Sequence, residues 1–416
     1  MNDGTSQHVL IIGTVWPEPD SSAAGRRMMQ LMNLFRSKGW KITFATTASE
    51  SSHRADLAKI DIETAGIEIN SDQFDCWIRS IQPTIVLFDR FMTEEQFGWR
   101  VAEQCPEAVR ILDTEDLHCL RKARGKAFKS GLPFYEEDLL VDDLAKRELA
   151  AIYRCDHSLI ISEYEMSILR QLFGVPANLL MYVPYLLDKI EGETVRDWPG
   201  FEARKHFITI GNFLHEPNWH AIQYLKKELW PLIRAKLPEA EMHIYGAYAS
   251  QKVNDLHCPD EGFHIKGRAV DSKEVVKNAR VCLAPLRFGA GLKGKLIEAM
   301  QCGTPNITTD IGAEGIAGKL EWSGRIANRT DEFVAAALEL YNDREKWYRC
   351  QKNGIRIINS RFRKDRFGPE LIRRIMDIQD QLDKHRQQNF IGTLLMHHTM
   401  ASTKYMSKWI EAKNRG

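Results

Sequence analysis

Residues 287 to 315, RFGAGLKGKLIEAMQCGTPNITTDIGAEG, carry the densest chemistry of this chain. Gly289, Gly291 and Gly294 frame a loop bearing Lys293 and Lys295 that runs directly into a helical stretch, LIEAMQCG. Glycine lets the backbone approach a ligand closely. A helix start offers free amides and the positive end of a dipole, and lysines add mobile cations. That combination suits a diphosphate. Glu298, one turn into the helix, can accept hydrogen bonds from ribose hydroxyls but repels phosphate. The stretch therefore reads as a pocket for a nucleotide diphosphate, one that carries an activated sugar. The plainer alternative is an ordinary βαβ crossover with a solvated lysine face.

Taken whole, the stretch resembles the nucleotide-sugar signature of family-4 glycosyltransferases of the GT-B fold. That pattern is a carboxylate, seven residues, then Glu followed by Ala-Met-x-x-Gly-x-Pro. Glu298-Ala299-Met300, Gly303 and Pro305 match its second half, whereas Ala290 stands where the first carboxylate belongs. The resemblance implies that Glu298 holds the ribose. It implies a nucleotide-sugar donor, retention at the anomeric carbon, and no obligatory metal or other cofactor. It implies nothing for the absent acid.

The elements that must position these residues are legible in outline. HVLIIG (8–13), KITFATT, TIVLFD (84–89), AVRILDTED (108–116) and HSLIISE (157–163) alternate with helical patterns in the first half. HFITIGN (206–212), EMHIYG (241–246), FHIKG (263–267), RVCLAPL (280–286) and NITT (306–309) do the same in the second. Continuous apolar strands separated by helices imply parallel sheets covered on both faces. The expected fold is α/β, with two Rossmann-like domains facing across a cleft as in GT-B enzymes. Residues 1–187 form an acceptor-side domain, polar residues 188–204 a linker, 205–368 the nucleotide-sugar domain, and 369–416 a helical tail crossing back to the first domain.

Composition is that of a globular protein, 44% hydrophobic and 27% charged over 416 residues, a length that favours two domains. A net charge of +1 argues against a nucleic-acid partner. Eight cysteines without CxxC spacing suit a reducing compartment. The start, MNDGTSQHVLIIG, reads as a polar tail before a strand rather than a signal peptide. A cytoplasmic location is expected.

The loop after the first strand, GTVWPEPDSSAAGRRM, lies at a strand's carboxyl end, where open α/β sheets bind ligands. Ser21 and Ser22 either cap the next helix or belong with Gly25 and Arg26 to a loop facing the donor phosphates. The GxGxxG fingerprint of a dinucleotide site is missing there. In the second domain, Gly211, Asn212 and Gly246 stand at strand ends beside the expected donor. Asn212 and approximately Pro217 occupy positions where the family carries a phosphate-gripping Arg and Lys. Lys293 and Lys295, with Arg287, are expected to replace that clamp, next to Gly291 and Leu292. Lys295 is also the candidate for stabilising the leaving group. Glu314 is a further acid near the cleft.

Asp113, Glu115, Asp116 and His118 crowd the end of another strand, where like charges are costly without a purpose. Asp113, Asp116, His118 and Arg121 fit a D-x-x-D-x-H-x-x-R run found in family-4 enzymes, which implies that His118 contacts the transferred sugar and Asp116 orients it or the acceptor hydroxyl. The alternative is that these carboxylates cap the following helix. Arg121, Lys122, Arg124, Lys126 and Lys129 make residues 121–129 basic, which suits either a solvated helix face or peripheral contact with anionic lipid. No set of residues at metal-ligand spacing is evident. The acceptor is a glycan, a lipid-linked group or a small molecule. Two other readings share the fold: a nucleotide-sugar epimerase, and a non-catalytic binder of nucleotide sugar favoured by Ala290.

Overall fold

The computed structural model describes residues 7–415; the polar start at residues 1–6 lies outside them. The chain builds two all-parallel sheets. The first contains β1 (His8–Gly13), β2 (Lys41–Thr46), β3 (Glu63–Gly66), β4 (Ile85–Asp89), β5 (Val109–Asp113), β6 (His157–Ile160) and β7 (Leu180–Tyr182), in the order β3-β2-β1-β4-β5-β6-β7. The second contains β8 (Phe207–Ile210), β9 (Met242–Tyr245), β10 (Phe263–Gly267), β11 (Val281–Ala284), β12 (Asn306–Thr308) and β13 (Gly324–Ile326), ordered β10-β9-β8-β11-β12-β13. Val9, Leu10, Ile11 and Ile12 are all fully buried, because helices cover both faces and leave β1 no solvent side.

Three strands escaped the sequence reading. β3 (ETAG) and β13 (GRI) are short and largely solvent-facing, and β7 closes an edge with three residues. None presents the apolar run that marks a central strand. Helices Glu216–Tyr224 and Trp230–Lys236 are joined by a wide turn at Leu225–Leu229.

Between the sheets, residues 188–204 form a short helix, Gly192–Arg196, and a turn, Phe201–Ala203. Arg204 anchors their end, donating to Pro199 O (2.9 Å), Thr304 Oγ1 (2.7 Å) and Cys302 O (3.2 Å). A second passage brings the chain back: Leu187 N donates to Phe362 O at 2.7 Å and Lys364 N to Leu187 O at 2.8 Å. The returning helix is Lys364–Asp380, which starts ahead of Pro369. Its Phe367, Leu371, Ile375 and Ile378 join Val9, Ile11, Leu31 and Phe35 in the core of the first domain. The last helix, Phe390–Arg415, packs on helices Asp143–Arg154 and Phe91–Gln104 of that same domain. Arg100 ties it down through Ser407 (3.1 Å) and Glu411.

Candidate functional site

Strand order reverses between β1 and β4 in one sheet and between β8 and β11 in the other. At such a switch point, chains leave neighbouring strands in opposite directions and open a crevice beyond their carboxyl ends. The two crevices face each other and enclose a cavity of about 450 Å³, within the size range of small-molecule sites.

The second domain supplies one wall. Past β11, Gly291 adopts φ +62°, and a Cβ there would lie 2.8 Å from Asp116 Cβ, so only glycine fits. Its amide donates to Glu165 Oε1 at 2.9 Å. Helix Gly294–Gln301 then starts against the first domain: a Cβ on Gly294 would meet Ala23 Cβ at 2.5 Å. Glu298 is 2% exposed. Its Oε1 accepts from Arg26 at 2.7 Å and from the Ser272 hydroxyl, while Oε2 has no hydrogen-bond partner among the described residues. Lys295 is buried beside Gly211, with no carboxylate paired to it among the described residues. Burial lowers its ammonium to about 8. Lys293 donates to Gly291 O at 2.8 Å, and burial, opposed by Glu314, brings it to about 8 as well. Asn212, Gly246 and Leu292 also line the cavity.

The first domain supplies the opposite wall. Ser22 caps helix Ala23–Arg36 by accepting from Gly25 N at 3.0 Å, and Ser21 accepts from Arg268 at 3.2 Å. Arg26 and Arg27 diverge: Arg26 reaches Glu298, whereas Arg27 turns inward to a bidentate pair with Asp113 (Nε to Oδ2 3.0 Å, Nη2 to Oδ1 2.8 Å). Asp116, His118 and Arg121 do converge on the cavity. Asp116 pairs with Arg121 and lies 3.5 Å from His118 Nε2. Burial pushes the Asp116 carboxyl up, but Arg121 and His118 outweigh it and hold it below its usual value. Burial lowers His118 to about 4 against the pull of Asp116, so the imidazole is neutral near pH 7.

The caps of the following helix come from elsewhere. Glu148 accepts from His118 N (2.8 Å) and Cys119 N (2.7 Å), and Glu165 accepts from Leu117 N (2.9 Å). Asp113, Glu115 and Asp116 are thus not spent on capping. Glu115 lines the cavity in the left-handed backbone region, φ +61°, with Oε1 buried and without a partner among the described residues. Burial and the nearby Asp113 raise its carboxyl to about 8, against the pull of Arg90.

Two expected donor residues lie outside the cavity. Gly25 is packed against the loop: a Cβ would meet the Glu18 backbone at 2.5 Å, so its role is to let residues 17–22 close over the helix. Arg287 points away, over the Tyr224 ring at 3.5 Å and towards Glu228 at 3.2 Å. Glu314 is held by Arg124 through two bonds of 2.9 and 2.8 Å, an ion pair joining the two domains. That pair takes Arg124 out of the basic face read over 121–129, and Arg121 faces the cavity. Lys122, Lys126 and Lys129 are exposed, and Lys129 pairs with Glu216 across the domains. No described helix is long and apolar enough to cross a membrane.

Arg90, Tyr185, His215 and Ser272 also line the cavity and were not anticipated. Arg90 was open to detection, since it directly follows β4 at the switch point. Tyr185 and His215 arrive through loops that have no period to read, and Ser272 opens a short helix, Ser272–Lys277.

Residues 204–343 match the family model for glycosyl transferases group 1. No curated protein matches the sequence. The fold is similar to that of sucrose-phosphate synthase from Thermosynechococcus elongatus (15% identity, 91% of this chain and 99% of that one, TM-score 0.64). It is also similar to Anabaena Alr3699/HepE in complex with UDP and glucose (13%, 88% and 98%, TM-score 0.62). WaaG, a glycosyltransferase involved in lipopolysaccharide biosynthesis, is a third likeness (10%, 87% and 98%, TM-score 0.60). At these identities the likeness is one of fold, and the fold is GT-B. The family match and the fold together support a glycosyltransferase.

Proposed function

We propose that this chain moves a sugar from a nucleotide-diphosphate sugar to a glycan, lipid-linked or small-molecule acceptor, with retention at the anomeric carbon, no obligatory metal, and in the cytoplasm. The carrying observation is Glu298: a carboxylate buried at the cleft whose Oε2 lacks a partner among the described residues. A buried acceptor left unpaired costs about 1–3 kcal/mol, and ribose hydroxyls are donors of the right kind. The adjoining helix start and Lys295 suit the diphosphate. Arg26 joins them once a ribose takes its place on Glu298.

Transfer breaks the bond between the anomeric carbon and the diphosphate oxygen and forms one to an acceptor oxygen, whose hydroxyl proton passes to the departing diphosphate. Charge grows on the diphosphate as that bond breaks, so Lys295 and Arg26 stabilise the transition state more than the ground state. Asp116 and neutral His118 sit on the sugar and acceptor side. Glu115, protonated near pH 7, adds a hydroxyl donor at the wall that faces the loop where Ala290 lacks a carboxylate. Retention requires the acceptor to enter on the face the diphosphate leaves.

HepE has been seen with UDP and glucose, so UDP heads the panel of nucleotides to titrate by calorimetry. The bound nucleotide's sugars are then supplied with candidate acceptors, and the product anomer is read by NMR. An inverted product overturns retention. A sugar altered without any acceptor favours the epimerase, and a nucleotide bound without turnover favours the non-catalytic binder.

A further inference from the structure

A second cluster of ligating side chains lies in the same domain but away from the cleft. His243 is three residues before Gly246 along β9, roughly 10 Å at ~3.3 Å per residue. In register it stands between Ile208 of β8 and His264 of β10, so the three share one face of the sheet. Glu241 precedes His243 by two residues and returns to that face. Its Oε2 lies 2.7 Å from His243 Nε2 and 3.9 Å from His264 Nε2, and the three potential ligand atoms all fall within 4.8 Å of one another. His206, two residues before Ile208, stacks its ring on His243 at 4.0 Å between centroids. The His206 Nε2 is buried without a partner among the described residues.

We propose that Glu241, His243 and His264 bind a divalent transition-metal ion of the zinc class and thereby fasten the edge strand β10 to β9. Two imidazole nitrogens and one carboxylate oxygen suit zinc and its neighbours, whereas calcium and magnesium favour all-oxygen sets. Bonds of about 2.0–2.2 Å place tetrahedral ligands about 3.4 Å apart. The contact at 2.7 Å must therefore open and the wider ones close, and Glu241, half exposed, has room to move. Burial lowers His243 and His264 below their ordinary value, leaving each ring a free lone pair near pH 7, with Lys266 and Arg234 the nearby cations that oppose an ion. The proton that His243 Nε2 donates to Glu241 must move to Nδ1 when Nε2 turns to the metal. A metal-bound water would give His206 Nε2 the partner it lacks.

Full-length, tag-free protein stripped with a chelator is titrated with Co2+, followed by its visible absorption, and with Zn2+ by calorimetry. The expected result is one ion per chain, tetrahedral Co2+ bands, and a Zn2+-dependent rise in thermal midpoint. His264→Gln and Glu241→Gln, whose metal-free midpoints serve as folding controls, should each weaken binding by about tenfold or more. Absent bands and heat overturn the site. Binding that survives both substitutions unchanged overturns it equally, since the ion then sits elsewhere.

Discussion

Replacing Glu115 by glutamine isolates the effect of one buried charge. The residue is 8% exposed, and burial with the neighbouring Asp113 raises its carboxyl from 4.5 to about 8. A carboxyl raised on folding takes up a proton, so between those values the native state binds more protons than the unfolded chain. Stability must then fall as pH climbs through that window, by about 1.4 kcal/mol per pH unit. Glutamine copies the shape of the protonated acid and never ionises. Glu115→Gln and wild type should therefore match near the lower end of the window and diverge above it, the variant gaining about 1.4 kcal/mol with each unit. Urea unfolding at several pH values reads this directly. Parallel profiles would refute the reasoning, since Glu115 would then be ionised without cost. The backbone offers a second test. Left-handed φ costs a non-glycine residue about 1–2 kcal/mol, and glycine gives back about 0.5–1 kcal/mol in chain entropy. Glu115→Gly should thus be neutral to mildly stabilising while sugar transfer drops. Unchanged transfer would remove Glu115 from the reaction.

Glu298→Ala should weaken nucleotide binding roughly 10- to 150-fold, the equivalent of about 1.5–3 kcal/mol for a charged hydrogen bond, with Glu298→Gln losing less; calorimetry with unchanged affinity rules out the ribose role. Lys295→Ala should cost about 10²–10³ in turnover while binding of the bare nucleoside barely moves, and steady-state rates equal to wild type would shift the diphosphate contact to Arg26. His118→Ala should lower transfer and leave nucleotide affinity intact, because the nucleotide rests on the second domain; equal loss of both would return His118 to a structural role.

The buried strands were readable because a parallel sheet covered on both faces demands continuous apolar runs, as in HVLIIG and RVCLAPL. Edge strands such as β3 make no such demand, and their sequence carries no mark of them. At the cleft, the placing of Gly291, Lys293, Lys295 and Glu298 at the cavity was legible because one continuous loop and helix start carries them all. Partners from distant segments were not: nothing in the sequence says that Arg26 meets Glu298 or that Arg27, one position on, meets Asp113 instead. The misplacement of Arg287 has the same origin. A loop has neither helical nor strand period, so neighbouring side chains give no hint of which faces the cavity.

The return of the chain after Lys364 sets the order of events during synthesis. Residues 8–182 hold every strand of the first sheet, yet the cover over Val9, Ile11 and Phe35 is Phe367, Leu371 and Ile375, which are translated only after the second domain. At about 5–20 residues per second, the ribosome leaves that apolar face open for roughly ten seconds or more while the second domain is made. The first domain to emerge is therefore the last to finish. Chains stopped at residue 363 should carry a folded second domain and an unsealed first one, which proteolysis would cleave within residues 8–182. If both halves resist equally, the returning helix is an ornament on a domain that is already complete.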